Sequence, residues 1–144
     1  MIEITPTDMK DLEEISEIEK AIFSRPWSRD GFRMSVEAKN TVYLTARLDG
    51  EIAGYCGMLQ CMDEAEITNV AVKEDCRNKG VAYAMLQDLL RRGQECGVQA
   101  FTLEVRKSNA AAIALYEKLG FVNCGIRKNF YEKPTEDAII MWKR

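Results

Sequence analysis

Residues 66–96 read E-I-T-N-V-A-V-K-E-D-C-R-N-K-G-V-A-Y-A-M-L-Q-D-L-L-R-R-G-Q-E-C, and this stretch decides how the chain folds. Its first part, residues 67–72, is apolar and rich in β-branched side chains, which predicts a buried strand. After a polar turn, residues 81–90 carry apolar side chains at helical spacing, namely Ala82, Met85, Leu86 and Leu89. The stretch therefore predicts a strand that passes through a short loop into a helix.

The loop between this strand and this helix has the composition of an anion site. A helix begins with backbone N–H groups that have no partner inside the helix, and its dipole adds about half a positive charge there. Arg77 and Lys79 add full charges, and Gly80 lets a ligand approach the backbone. We expect a pyrophosphate group to bind here, the alternative being an ordinary turn before a surface helix. Neither G-x-x-x-x-G-K-[ST] nor G-x-G-x-x-G is present, which disfavours nucleoside-triphosphate and Rossmann dinucleotide sites.

Length and composition limit the class of protein. With 144 residues, 47% of them hydrophobic and 30% charged, the chain is expected to form one domain spanning residues 1–144. A net charge of −3 disfavours direct binding of nucleic acid. No secretory segment and no apolar run of about 18 residues is present, so we expect a cytoplasmic protein with no membrane attachment and with Met1 as its natural start.

Cysteine and histidine usage limits the chemistry. The five cysteines include no C-x-x-C pair, which disfavours disulfides and a zinc site and predicts reduced, mostly buried thiols. Histidine is absent, so serine–histidine and cysteine–histidine nucleophiles are excluded and no metal site is expected. Any proton transfer must then depend on Glu, Asp, Tyr or Lys.

Two helices and a strand are predicted before residue 40. We expect a strand at residues 1–5, then a helix capped by Thr7 or Asp11, and a second helix from Ser28 to about residue 38. The apolar stripe of the first helix consists of Met9, Leu12, Ile15, Ile18 and Ile22. Pro26 ends that helix within S-R-P-W, residues 24–27. The aromatic side chains Phe23 and Trp27 either pack against the sheet or form a wall that faces the substrate.

Strand and turn signals predict the rest of the sheet. Asp49-Gly50 indicates a type I′ hairpin between strands at residues 41–47 and 51–60, and Gly54 and Gly57 indicate that another group approaches the second strand closely. After the central helix, which Gly97 ends, we expect elements as follows: a strand at residues 100–105, a helix at residues 110–119 capped by Ser108 or Asn109, and strands at residues 121–130 and 137–142. The order is β-α-α-β-β-β-α-β-α-β-β, with antiparallel hairpins first and parallel crossovers around the middle.

Two side chains in residues 101–121 stand out as candidates for chemistry. Glu104 interrupts a buried strand and shares a face with Thr102 and Arg106, so it is either a functional carboxylate or an edge carboxylate paired with an arginine. Tyr116 lies two helical turns after Asn109 and therefore on roughly the same face. Its alternative role is a core side chain with a satisfied hydroxyl.

Together these residues resemble the GNAT superfamily of N-acetyltransferases. Its pyrophosphate motif Q/R-x-x-G-x-G/A reads R-N-K-G-V-A at residues 77–82. More closely, the chain resembles the RimI group of ribosomal-protein alanine N-terminal acetyltransferases. The similar stretches are N-V-A-V at residues 69–72, L-E-V-R-K-S-N-A-A-A-I-A-L-Y-E-K-L-G-F at residues 103–121, R-K-N-F-Y at residues 127–131, E-D-A-I-I-M at residues 136–141 and P-W-S at residues 26–28. Ala82 replaces the commoner second glycine, and Phe130 replaces a usual tyrosine.

The resemblance implies a fold and a set of roles. The fold is of the α/β (α+β) class, a mixed and mostly antiparallel central sheet of six to seven strands flanked by about four helices. Glu104 is implied to accept the proton of the attacking amine, directly or through a water, and Tyr116 to protonate the leaving thiolate of coenzyme A. The backbone N–H near Val72 is implied to polarise the thioester carbonyl. The implied contacts of acetyl-CoA, the co-substrate, are Val70, Ala71, Val72, Arg77, Asn78, Lys79, Gly80, Val81, Ala82, Tyr83 and Asn109.

The resemblance also implies the substrate, a ribosomal-protein N-terminus that begins with alanine, bound by a monomer or weak dimer. Trp27, Glu66 and Tyr131 are the implied substrate-binding residues, and the acidic side chains Asp63, Glu64 and Glu66 could attract a basic peptide. Two alternatives stay open: an acetyltransferase for small amines or other protein N-termini, and a non-catalytic module that binds acetyl-CoA.

Overall fold

The computed structural model describes residues 1–23 and 26–144, and its elements follow the predicted order. The strands of this part are β1 (Ile2–Pro6), β2 (Thr41–Leu48), β3 (Glu51–Cys61), β4 (Glu64–Val72), β5 (Ala100–Arg106), β6 (Val122–Tyr131) and β7 (Glu136–Lys143). The α-helices are α1 (Leu12–Ile22), α2 (Arg29–Glu37), α3 (Val81–Glu95) and α4 (Ala110–Lys118). None of these helices is long and apolar enough to cross a membrane.

The strands form a single mixed sheet in the order β1-β2-β3-β4-β5-β7-β6. Among the strands of the described residues, only β4 and β5 are parallel neighbours, and every other neighbouring pair is antiparallel. The predicted mixed, mostly antiparallel sheet with four flanking helices is therefore confirmed. The expected parallel crossovers are the connections through α3 and α4. β4 and β5 are parallel neighbours, whereas β5 and β6 run in the same direction with β7 between them.

The parallel pair β4–β5 is short. Its ladder runs from Glu64–Ala100 to Glu66–Thr102, although β4 continues to Val72 and β5 to Arg106. Beyond Glu66 the two strands diverge and open a gap in the middle of the sheet. Just inside this gap, Thr68 is an extra residue in β4, since Gly57 pairs with Asn69 whereas Met58 pairs with Ile67. Such a bulge bends the strand and increases its twist.

The β2–β3 hairpin has the predicted turn. Asp49 and Gly50 both have positive φ, 53° and 89°, as a type I′ turn requires. The predicted close approach to β3 is also confirmed. A Cβ on Gly57 would lie 2.2 Å from the ring of Tyr43, and one on Gly54 would lie 2.4 Å from the carbonyl oxygen of Ala71.

The start of α1 differs from the prediction of a cap at Thr7 or Asp11. The cap is Asp8, whose side chain accepts from the N–H of Lys10 in a 3-10 turn, Met9–Asp11, that leads into the helix. Asp11 does not cap α1, because its carboxylate pairs with Arg47 at 2.7 Å and accepts from the N–H of Asp8. Met9 lies in the 3-10 turn and is exposed, so it does not join the apolar stripe of the helix.

Two groups of buried side chains cover the sheet. The larger contains side chains of α3 and α4, and the smaller contains side chains of α1 and α2 packed on Ile52, Tyr55 and Ala71. The expectation of mostly buried thiols is wrong, since Cys56 alone is buried and Cys61, Cys96 and Cys124 are exposed, while Cys76 is half-buried. The exposed thiols lie at strand and helix ends or on the edge strand β6, where the core does not reach.

Candidate active site

A cavity of about 870 Å³ lies where β4 and β5 diverge. Its walls come from the end of α1, the segment before α2, both diverging strands, the start of α4 and the β6–β7 loop. Seven of the residues expected to bind or react line it, namely Trp27, Glu66, Val70, Glu104, Asn109, Tyr116 and Tyr131. The fold thus brings together side chains that are far apart in the sequence.

Glu104 presents a partly desolvated carboxylate to this cavity. It alternates with the buried Leu103 and Val105 along β5, and its side chain is 21% exposed. Its Oε2 atom is buried and accepts no hydrogen bond from the part of the chain that the structure describes. Burial raises the pKa of Glu104, the Arg127 guanidinium lowers it, and Glu66 raises it. A carboxylate with a raised pKa is a suitable proton acceptor near neutral pH.

The alternative of an edge carboxylate paired with an arginine is wrong about the edge, whereas an arginine does lie beside Glu104. β5 is an interior strand with β4 and β7 on its two sides. The cation near Glu104 is Arg127 of β6, whose Nη1 lies 3.5 Å from Oε2, whereas Arg106 pairs with Glu136. At 3.5 Å and with its own side chain 57% exposed, Arg127 screens the carboxylate only weakly.

Tyr116 approaches the same cavity from α4. The residue is 7% exposed, and its ring packs against Phe121 with centroids 6.0 Å apart. Burial raises the pKa of Tyr116 above its ordinary value, so the phenol stays protonated at neutral pH. Of the two predicted caps of α4, Asn109 is the one used, and it accepts from the N–H of Ala112 at 3.2 Å. The register of this helix therefore presents both Asn109 and Tyr116 to the cavity.

Arg106 contacts the β6–β7 loop, which forms one wall of the cavity, and sequence reasoning did not identify it as a residue of the site. Its guanidinium lies 4.5 Å from the ring of Tyr131, pairs with Glu136 at 3.2 Å and donates to two backbone carbonyls of the β6–β7 loop. Glu136 also accepts from the N–H of Ser108 at 2.6 Å, which joins the β6–β7 loop to the β5–α4 loop. Burial, followed by the charge of Glu104, raises the pKa of Tyr131 to about 12. Alternation of buried and exposed side chains along β5 could have identified Arg106, because it places Arg106 on the same face of the strand as Glu104.

Trp27 packs against the smaller buried group, which includes side chains of the sheet, and its role as a wall that faces the substrate stays a prediction. Its ring packs against Phe32 of α2, with centroids 5.3 Å apart, and the residue also lines the cavity. Phe23 lines the cavity as well and is 38% exposed. Ser24 and Arg25 of the S-R-P-W sequence lie outside the described residues. Glu66 is exposed at the mouth of the gap, where the β4–β5 ladder ends.

The loop before α3, where a pyrophosphate is expected, has two residues with left-handed backbone. Asn78 and Gly80 have positive φ, 62° and 82°, and no side chain of a described residue caps the helix at Gly80. A Cβ on Gly80 would meet nothing within 4 Å, so its φ is what favours glycine there. Lys79 is exposed beside this helix start, and Val81 is buried beneath it.

The remaining expected contacts do not face the cavity with their side chains. Ala71 and Val72 are buried, so they can offer a ligand only their backbone groups. Arg77 donates from Nε to the carbonyl of Val72 at 3.3 Å and lines a second groove of about 710 Å³ between α1 and the loop that follows β4. Ala82 and Tyr83 are half-buried in the first turn of α3, where Lys118 lies 5.0 Å from the ring of Tyr83. Over the described ranges, no group of three or more His, Cys, Asp or Glu side chains is placed to hold a metal ion.

Comparison with known proteins gives a consistent set of relatives. The model of the acetyltransferase (GNAT) family matches residues 12–121. Over 144 residues the chain is 39% identical to the ribosomal protein bS18-alanine N-acetyltransferase of Escherichia coli (strain K12), covering 96% of this chain and 94% of that protein. The enzyme of that name from Haemophilus influenzae is 35% identical, with 96% and 95% covered. The crystal structure of the ribosomal-protein-S18-alanine N-acetyltransferase from Escherichia coli superposes with a TM-score of 0.91 at 36% identity, covering 99% of this chain and 93% of that one.

Proposed function

Because the chain belongs to the acetyltransferase (GNAT) family, we propose that it transfers the acetyl group of acetyl-CoA to the N-terminal α-amine of an alanine on a small-subunit ribosomal protein. The observation that carries this proposal is the cavity between β4 and β5, in which a half-desolvated carboxylate and a protonated phenol lie on opposite elements. The relatives named for this reaction are similar over nearly the full chain. A ribosomal-protein substrate implies action in the cytoplasm, and we propose a monomer or weak dimer.

Acetyl-CoA fits two features of the structure. The uncapped start of α3 offers backbone N–H groups and the positive end of the helix dipole to a pyrophosphate, with Lys79 beside it. Among the described residues, the edge of β4 beyond Glu66 has no ladder partner on the β5 side, so its backbone groups are available to an extended amide-containing chain. The acetyl thioester would then lie in the gap near Val70, within the cavity that Glu104 and Tyr116 line.

The amine must lose a proton before it attacks. An α-amine with a pKa of about 7.7 to 8.0 is roughly one-tenth neutral at pH 7, whereas an ammonium has no lone pair to give. In the proposed reaction the ammonium first gives one proton to solvent. Glu104 then takes a second proton from nitrogen, directly or through a water, as the neutral amine forms the nitrogen–carbon bond. Burial suits this role, because it raises the pKa of the carboxyl toward the pH at which the enzyme works.

Attack of the amine on the thioester gives a tetrahedral intermediate, and its carbon–sulfur bond then breaks. The coenzyme A thiolate leaves and takes a proton from Tyr116, whose phenol still carries its proton at neutral pH. The amine proton held by Glu104 returns through solvent and restores both groups. No covalent enzyme intermediate is needed, which agrees with a sequence that has no histidine. Arg106 holds the wall that carries Tyr131, which we propose contacts the peptide together with Trp27 and Glu66.

Peptide acetylation tests the proposed function directly. We expect a peptide that begins with alanine to release coenzyme A at least about 100-fold faster than an N-blocked peptide with a lysine, because the α-amine is far more often neutral at pH 7. Thiol release measures both rates. Turnover of the lysine peptide alone would move the assignment to side-chain acetylation, turnover of small amines alone would favour the second alternative, and binding of acetyl-CoA without turnover of any amine would favour a non-catalytic module.

Arg127 and Glu66 lie near Glu104, and removing the charge of each should move the pH profile of kcat/KM in opposite directions. Glu104 must be ionised to act, so activity falls as pH drops through its raised pKa. Arg127→Gln removes the cation that lowers this pKa, and the acid limb of kcat/KM should move to higher pH. Glu66→Gln removes the charge that raises it, and the acid limb should move to lower pH. Measuring kcat/KM between about pH 5 and 9 checks both. Equal shifts in one direction would contradict the assignment of Glu104 as the base.

A further inference from the structure

A buried carboxylate outside the candidate catalytic pair holds the segment that carries Trp27. Glu19 of α1 is 3% exposed and lines the cavity. One of its oxygens, Oε2, accepts from the backbone N–H of Trp27 at 2.8 Å. The other, Oε1, accepts a short hydrogen bond from the hydroxyl of Tyr55 in β3. A single side chain thus connects α1, the sheet and the backbone at Trp27.

The side chain of Trp27 is fixed through the same neighbours. Its ring packs against Phe32 at 5.3 Å, and Phe32 packs edge-on against Tyr55 at 5.4 Å. Glu19, Tyr55, Phe32 and Trp27 therefore form a closed circuit of contacts. Both the backbone and the indole of Trp27 are held by side chains that are themselves buried.

Burying a carboxylate costs free energy of desolvation, so a buried glutamate at position 19 must make a contact that an apolar side chain could not make. The side chain is desolvated, which raises the pKa of Glu19, while the hydrogen bonds from Tyr55 and Trp27 lower it. An apolar residue would fill this space in the smaller core without that cost but could not bind the N–H of Trp27. The hydrogen bond from the N–H of Trp27 requires an acceptor, and Trp27 is the residue of this cluster that forms part of the cavity wall with Glu19.

We propose that Glu19 is a positioning residue, which fixes the backbone at Trp27 and thereby the wall against which the N-terminal residue of the peptide lies. This inference rests on the proposed function for its substrate. The fixation of Trp27 itself does not depend on which amine is acetylated.

Tryptophan fluorescence and kinetics together test this proposal. The chain has two tryptophans, so Trp142→Phe leaves Trp27 as the sole reporter. In that background, Glu19→Ala should shift the emission of Trp27 to longer wavelength and increase its quenching by acrylamide severalfold. The KM for the alanine peptide should rise about tenfold, as expected for a lost buried hydrogen bond, while the KM for acetyl-CoA stays within about twofold.

Two further variants separate positioning from general loss of stability. Tyr55→Phe removes the other hydrogen bond to Glu19 and should lower the thermal midpoint, yet leave the emission of Trp27 and the peptide KM nearly unchanged. Glu19→Gln keeps an oxygen that can accept from the N–H of Trp27 and should restore both readouts. Should Glu19→Ala fail to fold, Glu19→Asp, whose carboxylate is one methylene shorter, carries the same test.

The proposal is overturned if the emission of Trp27 does not change in Glu19→Ala, if the two KM values rise together, or if Tyr55→Phe has the same effects. Failure of the proposed function gives a different result. In that case the unsubstituted enzyme does not acetylate the alanine peptide, while the fluorescence of Trp27 still reports whether Glu19 holds it.

Discussion

Glu104→Gln is expected to lower kcat for acetylation of an alanine peptide by about 10²- to 10⁴-fold, the usual contribution of a positioned acid or base. Glutamine has nearly the same shape but cannot accept the amine proton. The binding of acetyl-CoA should be unchanged within about twofold, because the expected pyrophosphate site at the start of α3 lies on a different element. Steady-state thiol release gives kcat, and calorimetric titration gives the affinity for acetyl-CoA.

Two other variants sharpen this result. Glu3→Gln removes an exposed carboxylate of β1 outside the cavity and should leave kcat unchanged. Tyr116→Phe should cost less than Glu104→Gln, about tenfold, because a thiol with a pKa of about 8.5 leaves readily even without a proton. If Glu104→Gln and Tyr116→Phe both retained full kcat, the assigned roles would fail even if the reaction were correct.

Local signals were sufficient to place several of the candidate residues at the cavity. The spacing between Asn109 and Tyr116 is two helical turns, and the observed cap at Asn109 sets the register that presents both to the cavity. Alternation along β5 placed Glu104 on the face opposite the buried Leu103 and Val105, as observed. These predictions succeeded because each depends on one element whose period is fixed by its backbone.

Long-range pairing was not predictable in the same way. The gap that forms the cavity exists because the β4–β5 ladder stops at Glu66, and nothing in either strand's own sequence sets that end. Arg127 reaches Glu104 only because β7 pairs with both β5 and β6, so its proximity depends on strand order rather than on spacing. Sequence reasoning therefore had no signal for the contact between Arg127 and Glu104, whereas alternation was an available signal for Arg106.

The burial of Glu19 could have been predicted from the sequence, but its hydrogen-bond partners could not. It lies four residues after Ile15 and three before Ile22, within the apolar stripe of α1 rather than on its acidic outer face. A carboxylate at a buried position of a helix requires hydrogen-bond partners. Which partners it finds, Tyr55 and Trp27, follows only from the fold.

Gly57→Ala is expected to destabilise the protein by about 3 kcal/mol and to lower the thermal midpoint by roughly 10 °C. The new methyl group would lie 2.2 Å from the ring of Tyr43, so the ring or the strand must move. Tyr43 is 7% exposed, and its hydroxyl donates to Oδ1 of Asn69 at 3.2 Å, beside the bulge at Thr68. Moving the ring therefore disturbs the strand that borders the cavity, and affinity for acetyl-CoA should fall with stability.

A matched control and a double variant isolate this steric cause. Gly31→Ala in α2 places its Cβ no closer than 3.4 Å to another side chain and should leave the midpoint unchanged or raise it slightly, since alanine favours helix. Tyr43→Leu removes the ring that Gly57→Ala would strike, so the double variant should be more stable than the sum of the two single losses predicts. Strict additivity, or a Gly57→Ala protein as stable as its parent, would mean that β3 has room for a side chain here. The need for glycine would then have to come from the bulge in β4 rather than from Tyr43.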